Sequence, residues 1–158
     1  MTARVATLFY FVAALGGDRL TKTMAASHLS PGEPVSYLFG TLRLHLVENH
    51  SGFLGYYGLL PEVVKDALLI WGTGTLILLM LLYLINKKGL NQYRQSSIAL
   101  IMAGATGNLT DRFINEGGVI DFIVLALGPV QTGIFNLADV FILSGSAYLG
   151  YCFASTDK

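Results

Sequence analysis

The stretch of residues 107–142 contains three short polar segments in an otherwise apolar sequence. They are Gly107-Asn-Leu-Thr-Asp-Arg112, Val119-Ile-Asp-Phe-Ile123 and Phe135-Asn-Leu-Ala-Asp139. Together they carry carboxylates, carboxamides and a guanidinium among Leu, Ile, Val, Phe and Ala. Polar groups in apolar surroundings cost free energy unless they are paired, and they are commonly retained for function. We therefore expect the fold to be built around a polar site formed by these segments.

The composition indicates a membrane protein. Of the 158 residues, 53% are hydrophobic and only 13% are charged, whereas a soluble domain carries about 25% charged residues. A chain this short exposes much of its surface, so a large core cannot account for the deficit. The formal net charge is zero, which gives no electrostatic basis for binding nucleic acid.

Four apolar segments are candidates for membrane-spanning helices. Residues 67–85 form the clearest, because 19 consecutive residues without charge can cross a hydrocarbon core of about 30 Å. We predict an all-α polytopic membrane protein that forms one domain over residues 1–158. Its predicted spans are about 5–22, 64–86, 96–112 and 135–154. The third span is rich in small residues such as Gly104 and Gly107, which let helices approach closely in lipid.

The residues between the first two spans, about 24–62, predict a small β-element. Pro31-Gly-Glu-Pro34 is typical of a turn. Leu42, Leu44 and Leu46 then alternate with polar residues, the period expected of a half-buried strand. Such a strand beside a membrane can lie on the lipid surface or against the helices.

The basic residues predict the orientation. Lys87, Lys88 and Arg94 occur in a short loop without acids between spans two and three, which marks the cytoplasmic side. An even number of spans places both termini on that side. The β-element and the polar segments are then expected at the outer face.

Several polar residues are predicted to meet at this outer boundary. Asp18 and Lys22 are four apart and share a helix face; an interfacial ion pair and a contribution to a polar site remain equally open. Asn108, Asp111 and Arg112 share a face at the end of span three, and we interpret Asp111 and Arg112 as an internal salt bridge. The same boundary is predicted to contain Asp121, in an outer loop, and Asn136 and Asp139, on one face of span four.

Asp121 and Asp139 are the candidate catalytic pair. They are 18 positions apart, too far for one helix face, so only the fold can make them neighbours. Two carboxylates in a desolvated site cannot both ionise easily, and one keeps a proton. The charged carboxylate can activate water while the protonated one polarises a peptide carbonyl. We predict an aspartic peptidase without cofactor or metal, because Cys152 stands alone and no carboxylate cluster complements His45 and His50.

Four segments, in order along nearly the whole chain, resemble the motifs of the lipoprotein signal peptidase family (signal peptidase II). They are Asp18-Arg-Leu-Thr-Lys22, Gly104-Ala-Thr-Gly-Asn-Leu-Thr-Asp-Arg112, Val119-Ile-Asp-Phe-Ile123 and Phe135-Asn-Leu-Ala-Asp139. The resemblance implies a monomeric enzyme of the bacterial inner membrane, with its active site near the outer face. It implies cleavage of prolipoproteins just before a diacylglyceryl-modified cysteine, contact with membrane lipid, and inhibition by globomycin.

The resemblance also assigns roles to residues. It implies Asp121 and Asp139 as the catalytic dyad. The substrate-binding or supporting residues that it implies are Asp18, Lys22, Asn49, Asn108, Asp111, Arg112 and Asn136.

One segment departs from the family pattern. The usual Asn-x-Gly-Ala-Ala-Phe is replaced by Asn49-His-Ser-Gly-Phe-Leu54, with Ser51 in place of a glycine and bulky Phe53 where a small residue is usual. The segment Gln131-Thr-Gly-Ile134 also lacks the aromatic or proline residues typical of the family. Neither change alters Asp121 or Asp139. The two changes are therefore expected to affect substrate range and inhibitor sensitivity more than the reaction itself.

Two other functions are compatible with parts of the sequence. A catalytically weak or inactive paralogue that binds lipoprotein or a lipopeptide antibiotic is suggested by the altered 49–54 segment, although the dyad is present. A proton-coupled carrier could use membrane carboxylates as a relay. A carrier typically has its charges at mid-membrane and internal pseudosymmetry, whereas here the charges gather at one boundary and no repeat is visible.

Overall fold

The computed structural model describes residues 3–50, 52 and 60–155. Ser51, Phe53 and Leu54, at which the segment after Asn49 departs from the family pattern, lie outside the described residues. The helices are α1 (Ala3–His28), α2 (Glu62–Asn86), α3 (Gln92–Ile114) and α4 (Leu137–Ala154). The strands are β1 (Val35–Tyr37), β2 (Leu42–Asn49), β3 (Val119–Leu127) and β4 (Val130–Gln131). The architecture is mostly helical with one small sheet, as predicted.

Two of the described helices are long and apolar enough to cross a membrane. These are α2 and α4, and their outward surfaces expose large apolar side chains such as Leu79, Ile85 and Leu143. Helices α1 and α3 have comparable length but carry charged residues. Three of these charged residues, Asp18, Lys22 and Asp111, are fully buried between the helices.

Helix α3 is the centre of the packing, with α1 and α4 against it along much of its length. The predicted small-residue face of this helix is confirmed. A Cβ at Gly104 would collide with the backbone carbonyl of Ala138, and one at Gly107 would collide with the carboxylate of Asp18. Gly107 therefore lets a charged side chain of α1 lie directly against the backbone of α3.

Helix α2 stands further from this group and packs mainly on α3. It contains a π-helical segment, Ala67–Gly72, between two α-helical parts. A π-helical segment is frequently found at functional sites, and this one precedes Thr73, which faces the polar cavity described below.

The four strands form one antiparallel sheet in the order β1-β2-β3-β4. The predicted turn before β1 is confirmed: the Glu33 amide donates to the Ser30 carbonyl at 3.2 Å, and Gly32 has φ +82°. The predicted strand through Leu42–Leu46 is also confirmed, since it forms the first part of β2.

The predicted outer loop around Asp121 is wrong, because this residue lies within the nine-residue strand β3. The strand is built from an apolar run rich in Val and Ile, which fits a pleated sheet, and Gly118 and Gly128 flank it. It pairs antiparallel to β2, with Val47 opposite Asp121 and Asn49 opposite Val119. The sheet thereby fixes Asp121 more rigidly than a loop would.

Two helix limits also differ from the expected spans. Helix α1 continues past residue 22 to His28. The fourth helix begins at Leu137 rather than Phe135, because Phe135 is extended and forms a bridge with Ile123 of β3. This bridge ties the start of α4 to the strand that carries Asp121.

Candidate active site

A cavity of about 290 Å³ lies between the sheet and the ends of α2, α3 and α4. Its polar lining consists mainly of the side chains of Asn49, Asn108, Arg112, Asp121 and Asp139. The remaining wall is largely apolar and includes Leu69, Leu76, Ile101, Ile134 and Ile142. A mostly apolar cavity with a few converging polar groups is the usual form of a ligand site.

Asn136 links the two aspartates. Its side-chain Nδ2 donates to Asp121 Oδ1 at 2.7 Å, and its backbone N–H donates to Asp139 Oδ2 at 3.1 Å. The same residue is the N-cap of α4, since its Oδ1 accepts from the Asp139 amide at 3.0 Å. Asn136 and Asp139 thus form a capping box, in which the helix start and the carboxylate fix each other. The two carboxylates are held as neighbours by one fully buried residue.

Each aspartate also accepts a hydrogen bond from the carboxamide of a second asparagine. Asn49 Nδ2 donates to Asp121 Oδ2 at 2.8 Å from the end of β2. Asn108 Nδ2 donates to Asp139 Oδ1 at 2.9 Å from α3. Both oxygens of both carboxylates therefore accept hydrogen bonds from neutral amides, which fixes their orientation without supplying a full positive charge.

Burial raises the pKa of Asp121 to about 6. The charge of Asp139 contributes to this rise, whereas the hydrogen bonds from Asn49 and Asn136 and the charge of Lys22 act against it. Only 3% of the Asp121 surface is exposed, so its ionised form loses most of its hydration. A carboxyl group with a pKa in this range can exchange a proton near neutral pH.

Arg112 faces the carboxylates without forming a salt bridge to either. Its Nη1 donates to the Asn108 carbonyl at 3.4 Å, and its buried Nε has no hydrogen-bond partner among the described residues. The negative charges of Asp121, Asp139 and Asp111 act on it. Its guanidinium thus adds positive potential to the cavity that it lines.

The predicted salt bridge between Asp111 and Arg112 is wrong. Asp111 instead pairs with Arg19 and with Lys22, the latter at 2.8 Å from Nζ to Oδ2. Neighbouring residues in an α-helix point about 100° apart, so Asp111 faces α1 while Arg112 faces the cavity. Arg19 is not among the predicted site residues, because only the packing of α1 on α3 brings it to Asp111.

Asp18 and Lys22, which were left open between two roles, lie together in the buried layer behind the cavity. Lys22 Nζ is 3.0 Å from Asp18 Oδ2, and neither side chain is exposed. Asp18 Oδ1 also accepts from the Ala138 amide at 3.0 Å, at the start of α4. The ion pair is therefore internal and joins α1 to α4 rather than lying at an interface with solvent.

The buried layer connects to the cavity through Asn108. Lys22 Nζ donates to Asn108 Oδ1 at 2.8 Å, and Asn136 Nδ2 donates to the same oxygen at 3.0 Å. These two donors identify this atom as the oxygen and leave the Asn108 amide nitrogen for Asp139. The arrangement thus brings all the sequence-predicted site residues into one continuous network.

Comparisons with known proteins identify the family. The family model described as "Signal peptidase (SPase) II" matches residues 10–154. A relative named "Lipoprotein signal peptidase" from Caldicellulosiruptor bescii is 36% identical over 134 residues, which cover 85% of this chain and 81% of the relative. Another of the same name from Syntrophus aciditrophicus is 33% identical over 134 residues, which cover 84% of this chain and 81% of the relative.

A solved structure has the same fold. It is described as "Bacterial membrane enzyme structure by the in meso method at 2.3 A resolution" and superimposes with a TM-score of 0.84, covering 96% of this chain and 89% of that one at 23% identity. The match of the family model over most of the chain, together with relatives above 30% identity, decides the family. This chain belongs to the signal peptidase II family of aspartic peptidases.

Proposed function

We propose that this protein removes signal peptides from diacylglyceryl-modified bacterial prolipoproteins, cleaving just before the lipidated cysteine. The observation that carries the proposal is the pair of carboxylates, buried Asp121 and half-buried Asp139, which share Asn136 at the end of an apolar cavity. The family membership supports the same reaction, because the relatives bear the name lipoprotein signal peptidase.

In the proposed mechanism Asp121 and Asp139 hold one proton between them. The ionised carboxylate takes a proton from a water molecule, which attacks the scissile carbonyl. The protonated one stabilises the developing oxyanion and then protonates the leaving amine. The Asp121 pKa of about 6 suits a group that is protonated in one step and ionised in the next.

The proposed supporting residues act through hydrogen bonds and charge. Asn49, Asn108 and Asn136 orient the carboxylates. Arg112, whose side chain lines the cavity beside the dyad, binds a carbonyl or ester oxygen of the substrate. Asp18, Lys22 and Asp111 hold the amide of Asn108 and the starts of α4 and β3 in place.

The proposed placement in the membrane has all four helices crossing it, with residues 1–158 as a single domain. The first turn of α1, the 87–95 loop and the end of α4 lie at the same end of the helices: Arg4 and Gln95 line one cavity, and Arg94 Nη2 donates to the Cys152 carbonyl at 3.1 Å. The basic loop supports a cytoplasmic location for this end. The sheet and the dyad then lie near the outer face of the bacterial inner membrane.

The exposed apolar side chains of the sheet and of the turn between β1 and β2 support contact with lipid. Leu38, Phe39, Leu127 and Val130 are each more than two-thirds exposed. Lipid is the natural solvent for such a surface beside membrane-spanning helices. We further propose that the protein acts as a monomer and that globomycin-like inhibitors occupy the cavity.

The test is a gel-shift cleavage assay of the purified protein on a diacylglyceryl-modified prolipoprotein. We expect cleavage by the parent and none by Asp121→Asn or Asp139→Asn. Glu116→Gln, which removes an exposed carboxylate shortly before β3, is the matched control and should cleave normally. Binding of the prolipoprotein without cleavage by the parent would favour the alternative of an inactive lipoprotein-binding paralogue. Cleavage that survives either aspartate substitution would refute the proposed dyad.

A further inference from the structure

A second cavity, of about 490 Å³, lies between α1, α2 and α3. Its apolar wall is formed by Leu8, Phe11, Ile77, Leu81, Leu84, Ile85, Ala99 and Met102. It contains none of the residues that line the cavity at the dyad. Arg4 and Asp18 are separated by about 21 Å along α1 at 1.5 Å per residue, so the second cavity lies toward the opposite end of the helices.

The polar groups of this cavity come from residues at the ends of two helices. They belong to Arg4 and Thr7 in the first turns of α1 and to Gln95 in the first turn of α3. The Thr7 hydroxyl donates to Gln95 Oε1 at 3.2 Å, and Gln95 Nε2 donates to the Leu90 carbonyl at 2.7 Å. The cavity therefore has an apolar body with a polar mouth at one end.

The mouth is cationic. Arg4 lines it, and Lys87 and Lys88 follow Ile85, the last residue of α2 in the cavity wall. Among the residues that the structure describes, no acid pairs with any of these three cations. The first turn of α1 also contains no acid. An anion at the mouth would therefore meet the positive charge of Arg4, and Lys87 and Lys88 follow directly after the end of α2.

We propose that this cavity binds an anionic phospholipid, with an acyl chain in the apolar body and the phosphate at Arg4. Basic pockets between membrane helices on the cytoplasmic side are typical binding sites for anionic headgroups. The volume lies within the range of ligand cavities, about 300–1,000 Å³. Each methylene group of an acyl chain that enters the cavity gains van der Waals contacts with apolar side chains of three helices.

The charge of the mouth favours a lipid over a hydrophobic peptide helix such as a signal peptide. A signal peptide carries a positively charged region before its apolar region, and that region would be repelled by Arg4, Lys87 and Lys88. A phosphate has the opposite sign. The same reasoning favours phosphatidylglycerol over the zwitterionic phosphatidylcholine.

Bound lipid would also support the position of α2. This helix packs mainly on α3, and the cavity lies in the gap between α2 and α1. The same helix contributes Leu69, Thr73 and Leu76 to the wall of the cavity at the dyad. An acyl chain that fills the gap therefore stabilises one wall of the candidate active site from behind.

Native mass spectrometry of the detergent-solubilised protein tests the proposal directly. The protein is titrated with phosphatidylglycerol or with phosphatidylcholine, and the bound fraction is measured for the parent and for Arg4→Gln and Leu81→Trp. We expect the parent to prefer phosphatidylglycerol and Arg4→Gln to lose about fivefold in affinity, the value expected for one cation near a phosphate. Leu81→Trp narrows the apolar body without changing the charge and should weaken both lipids.

Lys65→Gln is the matched control, because it removes one positive charge near the start of α2, away from this cavity. It should bind phosphatidylglycerol like the parent. A thermal melt gives a second readout that does not depend on catalysis: phosphatidylglycerol should raise the Tm of the parent and of Lys65→Gln more than that of Arg4→Gln.

Three results would overturn the proposal. The first is equal retention of the two lipids by the parent, and the second is unchanged phosphatidylglycerol binding in both Arg4→Gln and Leu81→Trp. The third is displacement of the lipid by a synthetic signal peptide that cross-links at residue 81, which would assign the cavity to substrate. None of these results depends on whether the protein cleaves prolipoproteins.

Discussion

Two groups of carboxylates, one fully buried and one lining the cavity, lie side by side in this protein and are held in opposite ways. Asp18 and Asp111 form ion pairs with Arg19 and Lys22 between α1 and α3. Asp121 and Asp139 accept hydrogen bonds from the neutral side chains of Asn49, Asn108 and Asn136 and from the Asn136 backbone.

The difference shows how one apolar protein can use the same side chain for two purposes. A carboxylate that contacts a cation at close range has its negative charge compensated by that cation. A carboxylate that is held by neutral amides is oriented without a compensating cation, and burial raises the pKa of Asp121 to about 6, so this group can exchange a proton near neutral pH. We therefore assign the first group, the ion-pair cluster, to structure and the second, the amide-held pair, to chemistry.

The largest expected effect comes from the amide-held pair. Asp121→Asn and Asp139→Asn should each lower kcat/KM by about 10²–10⁴-fold, the usual contribution of general acid–base catalysis. Because the two groups share one proton, the double variant should fall little further than the weaker single variant. The measurement is prolipoprotein cleavage under single-turnover conditions. A loss in the double variant equal to the product of the two single-variant losses would contradict a shared proton.

The next effect concerns the ion-pair cluster. Lys22→Met leaves Asp18 and Asp111 without their common cation and should destabilise the fold by about 3–5 kcal/mol. Thermal unfolding followed by the fluorescence of Trp71, the single tryptophan, measures this loss of stability. Adding Asp18→Asn to Lys22→Met should recover part of the loss, since one buried charge is removed. No recovery would mean that the cluster is not held by charge.

Asn136 joins the two functions and allows them to be separated. Asn136→Ser keeps an N-cap oxygen for α4 but removes the amide that contacts Asp121. We expect cleavage by Asn136→Ser to fall by about 10–10²-fold, a loss comparable to that of other groups that orient a reacting residue. Its Tm should stay close to that of the parent. Asn136→Ala should lose in addition about 1 kcal/mol of stability through the missing cap. Equal stability of the two variants would show that the cap contributes nothing.

The smallest effect is the pH dependence of stability at Asp121. Because burial raises its pKa in the folded protein to about 6 from 3.8, the ionised carboxylate opposes folding. This penalty is fully present above pH 6, shrinks as the pH falls from 6 to 3.8, and is absent below. Asp121→Asn should therefore be more stable than the parent at pH 8 by about 1–3 kcal/mol, with the gain decreasing toward pH 4. A stability gain of Asp121→Asn that increases as the pH falls would contradict a raised pKa of Asp121.

The local features of the fold could be predicted from the sequence. The apolar runs, the turn at Pro31–Pro34, the alternation in β2 and the close approach at Gly104 and Gly107 each depend on residues near one another in the chain. The i, i+4 spacing also predicted that Asp18 and Lys22 would pair. Such spacings determine which residues share a face of a helix or strand irrespective of the remaining fold.

The features that were missed depend on distant contacts or on an overlooked local signal. The partner of Asp111 could not be inferred, because Arg19 lies 92 residues away and only helix packing brings it near. Strand β3 was interpreted as a loop because Asp121 interrupts its apolar run, although the many β-branched residues favoured a strand. The capping box of Asn136 and Asp139 was readable from their spacing just before an apolar run.

The most direct test of the central distinction compares one acid from each group. Cleavage of diacylglyceryl-modified prolipoprotein is measured per folded molecule for Asp111→Asn and Asp139→Asn, with the folded fraction taken from the thermal melt. The account predicts that Asp111→Asn loses stability but retains activity within about tenfold of the parent, whereas Asp139→Asn loses about 10²-fold or more. Equal inactivity of the two folded variants would contradict the separation of structural and chemical carboxylates.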